Sequence, residues 1–261
     1  MKVLYFDPSL AGISGDMTLA ALVDLGLDPQ ALEAALFPLS PLLPIRLGFD
    51  RVDRCGLSAL KLTLLEPLPL FEHHYYKEIK VLIESALLPP RTEALALAFF
   101  ERIAVAEAKI HGVKLEEVHF HEVAAIDSIV DLVGTAVAIG LLEPDLVLFS
   151  PLALGYGEVV CSHGVYPVPA LATLEILKEV PVRSGNLPFE LTTPTGAAIA
   201  KELAQGFSEG LPAMRVSKIG YGAGTRELPN RPNVLRVVLG ELEGEWTGEA
   251  LPPSRRLKIK F

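Results

Sequence analysis

Residues 118–134 read VHFHEVAAIDSIVDLVG. His119 and His121 stand two apart, as neighbours on one face of a strand do, with Val118 and Phe120 on the other face. From about residue 123 to residue 142 the run becomes apolar on nearly every side, a pattern that predicts a buried helix. Ile126, Ile129, Val130, Val133 and Val137 form its main stripe, while Leu132 and Ala136 fall on the other side. Yet Asp127 and Asp131 sit in this helix, one turn apart on one face. An unpaired carboxylate is too costly to keep charged in such a place. A metal ion, an arginine or the free amides of a helix N-terminus must therefore meet them. Strands and helices mix without strict alternation along the rest of the chain. The expected fold class is α/β or α+β, with mixed sheets, packed helices and two lobes as one arrangement.

Working outward, VLYF (3–6) predicts a buried strand, AGISGD (11–16) a tight turn, and MTLAALVDLG (17–26) a helix closed by Gly26. Residues 45–65 alternate around Arg54, Cys55 and Gly56, a hairpin signal. Helices are predicted over 77–87 and 91–110, separated by Pro89 and Pro90 and ended at Gly112. Strands are expected at 145–149 and 153–160, a helix at 170–180, and a helix opened by TTPTG (192–196) through about Gln205. Two strands, 216–224 and 233–241, close a module of residues 1–241. From Leu242 to Phe261 Gly, Glu and Pro are frequent and periodicity vanishes, which predicts a mobile tail.

With 261 residues, half of them apolar, the chain can bury a substantial core. Its net charge of −9, with no basic run before Arg255 and Arg256, argues against a nucleic-acid partner. No apolar stretch is long enough to cross a bilayer, and MKVLYFD is no signal peptide. Cys55 and Cys161 form no disulfide framework, so a cytoplasmic location is expected.

Five groups that bear on chemistry, His119, His121, Glu122, Asp127 and Asp131, fall within thirteen residues. They suit a divalent metal of borderline hardness, and a purely structural cluster stands as the alternative. The loop FDPSLAGISGDM follows a strand and opens a helix, so amides around Gly12, Ser14 and Gly15 are placed to hold an anion. Asp7 and Asp16 repel a bare phosphate, which leaves a metal-bound phosphate or a structural turn. In TTPTGAA, Thr193 or Thr195 caps a helix, and the amides before Gly196 either grip an anion or belong to an ordinary cap. GYGAGTRELPNRPN sets Gly222 and Gly224 beside Arg226 and Arg231, as an anion loop or as a hairpin turn. Cys161 and His163 stand two apart, for a soft metal, for nucleophilic chemistry, or for packing alone.

The ordered motifs YFD…GISGDM, AEAKIHG, VHFHEVAAIDSIVDLVG, SPLALGYGEVVCSHGVYPVPA, LTTPTGAA, KIGYGAG and RPNVLRVVLGE resemble the LarC family over residues 1–241. These are the nickel-insertion proteins of lactate racemase maturation. The resemblance implies a nickel chelatase of the lyase class that acts on an anionic substrate, pyridinium-3,5-bisthiocarboxylic acid mononucleotide. Its product is the nickel-pincer nucleotide cofactor, made with manganese or magnesium and with CTP, alongside the other lactate racemase maturation proteins. On that reading His119, His121, Glu122, Asp127 and Asp131 hold metal. Gly12, Ser14, Gly15, Asp16, Thr193, Thr195, Gly196, Gly222, Gly224 and Arg226 hold the nucleotide. Insertion at a ring carbon releases a proton, for which His119, His121 or His163 is the expected base. The chain departs from the pattern in keeping only His73 and His74 of a histidine-rich stretch, and in reading DPSLAG where a DCFSG-like loop is expected. The family's C-terminal CTP-binding module has no counterpart before Phe261, so that module is expected from elsewhere and this chain alone is expected to turn over poorly. The alternatives are a non-catalytic nickel or manganese carrier and a metal-dependent phosphoester hydrolase.

Overall fold

The apolar run VLYF becomes the interior strand β1 (Lys2–Asp7) of the sheet. Its continuous apolar text has a simple cause, because Val3 to Phe6 are buried on both faces. In the computed structural model, residues 1–39, 46–65, 75–120, 126–161, 164–243 and 246 are described. Beyond β1 come helices α1 (Gly15–Asp24) and α2 (Pro29–Leu36) and the hairpin β2 (Leu47–Arg54) and β3 (Leu57–Leu64). Helices α3 (Tyr76–Ser85), α4 (Pro90–His111) and α5 (Ile126–Leu142) follow. Then come strands β4 (Leu146–Phe149), β5 (Leu152–Leu154), β6 (Glu158–Cys161) and β7 (Gly164–Pro167), helix α6 (Leu171–Ile176) and strand β8 (Val182–Ser184). Helix α7 (Pro194–Leu203) and strands β9 (Gly206–Phe207), β10 (Met214–Ala223) and β11 (Val234–Leu242) complete the described order.

The main sheet has seven strands in the order β2–β3–β10–β11–β1–β4–β9, and β5–β8 and β6–β7 form two small sheets. This is the mixed α/β class that the sequence predicts. β1 pairs antiparallel with β11, Lys2 opposite Glu241 and Asp7 opposite Arg236, and parallel with β4. Alternation sorts the side chains: Leu4, Phe6, Val147, Phe149, Leu235 and Val237 join the core shared with the helices. Val3, Tyr5, Leu146, Leu148 and Val238 form a smaller cluster on the other face, against which Met214, Leu242 and Trp246 pack. Burial, with the nearby Asp7 carboxylate, pushes the Tyr5 hydroxyl up to about 12.

Helix α1 is buried from Met17 to Val23 and lies against β10, β3 and α5. Gly220 and Gly222 make this possible, since a Cβ on them would fall 2.1 Å from the Ala21 carbonyl oxygen and 1.9 Å from that of Met17. Helix α5 is apolar all round because α1, α2, α4 and α7 surround it. At Gly134 it approaches α1 so closely that a Cβ would meet Leu19 Cδ2 at 2.7 Å.

The β2–β3 turn places Cys55 and Gly56 at φ +56° and +82°, the left-handed pair that a two-residue hairpin favours. The stretch around His119 departs from the expected strand: His119 makes an isolated antiparallel bridge to Tyr75, with Val118 and Phe120 buried beside it. The run 153–160 divides into β5 and β6 around Gly155 and Gly157. A Cβ on Gly155 would collide with the Phe189 carbonyl oxygen at 1.6 Å, and Gly157 has φ +102°. Apart from Leu242, Glu243 and Trp246, the expected tail lies outside the described residues.

Candidate functional site

The first turns of α1, α5 and α7 lie along one cavity of about 420 Å³. Ser14 and Asp16 come from α1, Asp127, Ser128 and Asp131 from α5, and Thr193, Pro194 and Thr195 from α7. Glu190 and Thr225 add polar groups, and Leu62 and Leu64 of β3 supply an apolar wall. Four of these side chains are carboxylic acids, and no lysine, arginine or histidine stands among the described lining residues.

Local hydrogen bonds fix Asp16 and Asp127. The Ser14 hydroxyl donates to Asp16, whose Oδ1 also accepts the Met17 N–H at 2.8 Å. Asp127 Oδ1 accepts the Ser128 N–H at 2.7 Å. The Asp16 backbone amide favours the charged form of Asp131, and Gly15 at the start of α1 lies directly against that side chain. Asp127 is exposed at the rim and Asp131 sits deeper, only partly open to solvent. Burial, and then the charges of Asp16 and Asp127, hold the Asp131 carboxyl well above the usual carboxylate range. At α7, Thr193 Oγ1 accepts the Gly196 N–H at 3.2 Å and lies 2.9 Å from the Thr195 hydroxyl. That is the capping arrangement that Thr-x-x-Gly permits, with Pro194 at the first helical position.

The structure thus brings Ser14, Asp16, Asp127, Asp131, Thr193 and Thr195 together. The glycines of the same motifs serve close approach. A Cβ on Gly12 would fall 2.2 Å from the Leu191 carbonyl oxygen, and one on Gly196 2.1 Å from that of Ile13. Gly15 faces Asp131 directly. Gly222 backs onto α1, and a Cβ on Gly224 would fall 2.4 Å from Asn233 Nδ2. Arg226 stands 5.2 Å from the Phe189 ring centroid and is not among the lining residues. Arg231 donates to the carbonyl oxygens of Leu10 and Gly185. His119 packs edge-on against the Tyr75 ring at 5.1 Å and does not line the cavity. His121, Glu122 and His163 lie outside the described residues.

Sequence reasoning missed Glu190, Thr225, Leu62 and Leu64. Glu190 directly precedes LTTPTG, which is its one signal, whereas the leucines read as ordinary strand alternation. Among the described residues, no three His, Cys, Asp or Glu side chains converge tightly enough to enclose an ion by themselves. The oxygen donors on the cavity are spread along its lining and are not gathered into a ready-made ligand set.

The nickel insertion protein family matches residues 4–254. The chain is 50% identical over 250 residues to the pyridinium-3,5-bisthiocarboxylic acid mononucleotide nickel insertion protein of Geobacillus kaustophilus, covering 92% of this chain and 60% of that protein. It is 45% identical over 254 residues to the protein of the same name from Clostridium kluyveri, covering 93% and 63%. The chain thus spans about three fifths of the length of these curated relatives. No solved structure matches it.

Proposed function

Because this chain belongs to the nickel insertion protein family, we propose that it serves nickel insertion into pyridinium-3,5-bisthiocarboxylic acid mononucleotide and that its cavity holds a divalent cation during that reaction. The observation that carries the second part is the crowding of Asp16, Asp127, Asp131 and Glu190 around one space without a basic side chain on the described lining. Carboxylates so placed repel one another. A proton on Asp131 or a bound cation relieves that repulsion, and the cation relieves more of it. Donors that do not enclose the ion suit a metal that must be passed on, because the substrate's own sulfur atoms can complete the shell. The hydroxyls of Ser14, Ser128, Thr193, Thr195 and Thr225 offer donors to an anionic nucleotide, and Leu62 with Leu64 offers a flat apolar wall to its ring.

The donor set supports a second assignment within the same function. Every donor on the described lining is oxygen, which favours manganese or magnesium over nickel. The charge of Asp16, Asp127 and Asp131 would then draw the hard cation to the cavity, where the nucleotide's own oxygens share its coordination and it supplies charge neutralisation. Nickel would instead engage His121, Glu122 or His163, and one of the two histidines would take the ring proton. Family membership also supports CTP as co-substrate, a lyase-type nickel chelatase reaction, and work alongside the lactate racemase maturation proteins.

Calorimetric titration with nickel and with manganese tests the cavity. Asp127→Asn and Asp131→Asn should each weaken binding of the preferred ion by about tenfold or more. Wild-type affinity for both ions in both variants, with native circular dichroism, overturns the proposal. A loss confined to manganese selects the second assignment.

A further inference from the structure

A second cavity, of about 850 Å³, opens where α4 begins and α5 ends. Thr92, in the first turn of α4, stands against Gly140 in the last turn of α5: a Cβ on Gly140 would fall 2.8 Å from Thr92 Oγ1. The two helix ends that meet there carry opposite partial charge. At the start of α4, a helix of 22 residues, Pro89 offers no side-chain cap and Pro90 has no N–H. The Arg91 and Thr92 amides therefore have no partner within the helix. At the end of α5, the Gly140 and Leu141 carbonyls face residues that cannot continue the helical ladder. Pro144 has no N–H, and the Asp145 N–H donates instead to the Lys2 carbonyl at 2.9 Å.

The side chains repeat this pattern. Arg91 and Glu143 line the cavity with opposite charges, and neither makes an ion pair among the described residues. Thr92 lines it too and is only 5% exposed, yet its hydroxyl has no hydrogen-bond partner among the described residues. A buried hydroxyl in that state calls for a partner from outside the chain. Asp145 adds a carboxylate beside Glu143, and its Oδ2 accepts the Lys2 N–H at 2.7 Å. The remaining walls are aliphatic, with Ala35 from α2, Leu95 from α4, and Val137 and Ile139 from α5.

We propose that this cavity binds an α-amino acid with an aliphatic side chain. Its carboxylate would meet Arg91, the Thr92 hydroxyl and the free amides of α4. Its ammonium would meet Glu143 and the free carbonyls of α5, and its side chain would lie on the aliphatic walls. An α-amino acid carries its two charges on one carbon, which suits two helix ends in contact. A plain carboxylate would leave Glu143 and the carbonyls unanswered, and a plain amine would leave Arg91 and the amides. The site shares no lining residue with the cavity of α1, α5 and α7 and does not depend on the nickel reading.

Calorimetric titration of the full chain with leucine tests the assignment. Three controls each lack one part: isocaproate the ammonium, isoamylamine the carboxylate, and glycine the apolar side chain. Leucine should bind in the millimolar range or tighter, and each control about tenfold or more weakly. Arg91→Gln and Glu143→Gln lie at exposed positions and should each weaken leucine by about tenfold, with native circular dichroism. No binding of leucine at millimolar concentration overturns the proposal. So does a control that binds as tightly as leucine, since the cavity would then recognise a single charge or no side chain. Wild-type affinity in either variant overturns it as well: in both, the ligand sits elsewhere, and in one, the site answers only one charge.

Discussion

At residues 12–16 and again at 220–224 the chain carries closely spaced glycines beside α1, and the two stretches do different things. In GISGD the backbone turns from a loop into a helix, and Ser14 and Asp16 point into the cavity. In GYGAG the backbone is still a strand, and Gly220 and Gly222 lie against the carbonyl oxygens of Ala21 and Met17. The first stretch presents groups to a ligand space, and the second lets a helix sit down on a sheet. Both need the absence of a Cβ, because backbone can approach backbone only where no side chain intervenes. What differs is the neighbour, a cavity edge in one case and the middle of α1 in the other.

The widest gap between the two should show in Gly222→Ala. The new methyl would stand 1.9 Å from a backbone oxygen that cannot turn away. Overpacking of this kind should cost about 3 kcal/mol, measured by urea denaturation, with the metal affinity of the folded protein unchanged. A cost below about 1 kcal/mol would mean that α1 can slide on β10, and the contrast between the stretches would blur.

At the cavity the expected change has the opposite sign. The Asp131 carboxyl is held above its ordinary range, so the folded protein keeps a proton there that the unfolded chain has released. Metal-free stability should therefore fall as pH rises from the ordinary carboxylate range through the raised value. Asp131→Asn removes that fall, and its melting temperature should exceed the wild type's near neutral pH while the two converge in acid. A less stable variant at neutral pH would show that the Asp16 amide's support of the charged form outweighs the burden of charge.

The smallest expected effect separates Thr193 from the aspartates beside it. Thr193→Ala removes the cap on the Gly196 N–H and should cost about 1 kcal/mol in thermal unfolding, with Thr193→Ser recovering most of it. A loss of metal affinity as large as that of Asp131→Asn would move Thr193 from the scaffold into the ligand set.

Much of the fold was legible from local signals. The hairpin showed in Arg54–Cys55–Gly56, and the end of α4 in Gly112, which adopts φ +65°. The buried course of α5 showed in its apolar text. Helix α2 is absent from the sequence reading although it has an ordinary signal, Asp28 before Pro29, with Asp28 Oδ1 accepting the Gln30 N–H at 3.0 Å. Within the site, Asp127 and Asp131 stood out because carboxylates in an apolar helix demand a partner. Their meeting with Asp16 and Thr193 did not, since it depends on how α1, α5 and α7 lie along one sheet. Gly222 and Gly224 lie off the described cavity lining, and their close neighbours are a carbonyl oxygen of Met17 and the Asn233 side chain, which look the same as a ligand's atoms in one dimension. Arg226 and Arg231 likewise meet groups of the chain itself, an aromatic ring and two backbone carbonyls.

The place of β1 bears on how the chain is made. β1 leaves a ribosome long before its antiparallel partner β11, yet it ends in the interior of the sheet. Lys2 must wait for Glu241, and Phe6 for Val237. During synthesis VLYF therefore waits with one hydrogen-bonding edge unfilled, the kind of segment that pairs wrongly or recruits a chaperone. Closure over so long a loop is slow. The cavity, whose walls run from Ser14 to Thr225, cannot close until all of these distant segments have been made.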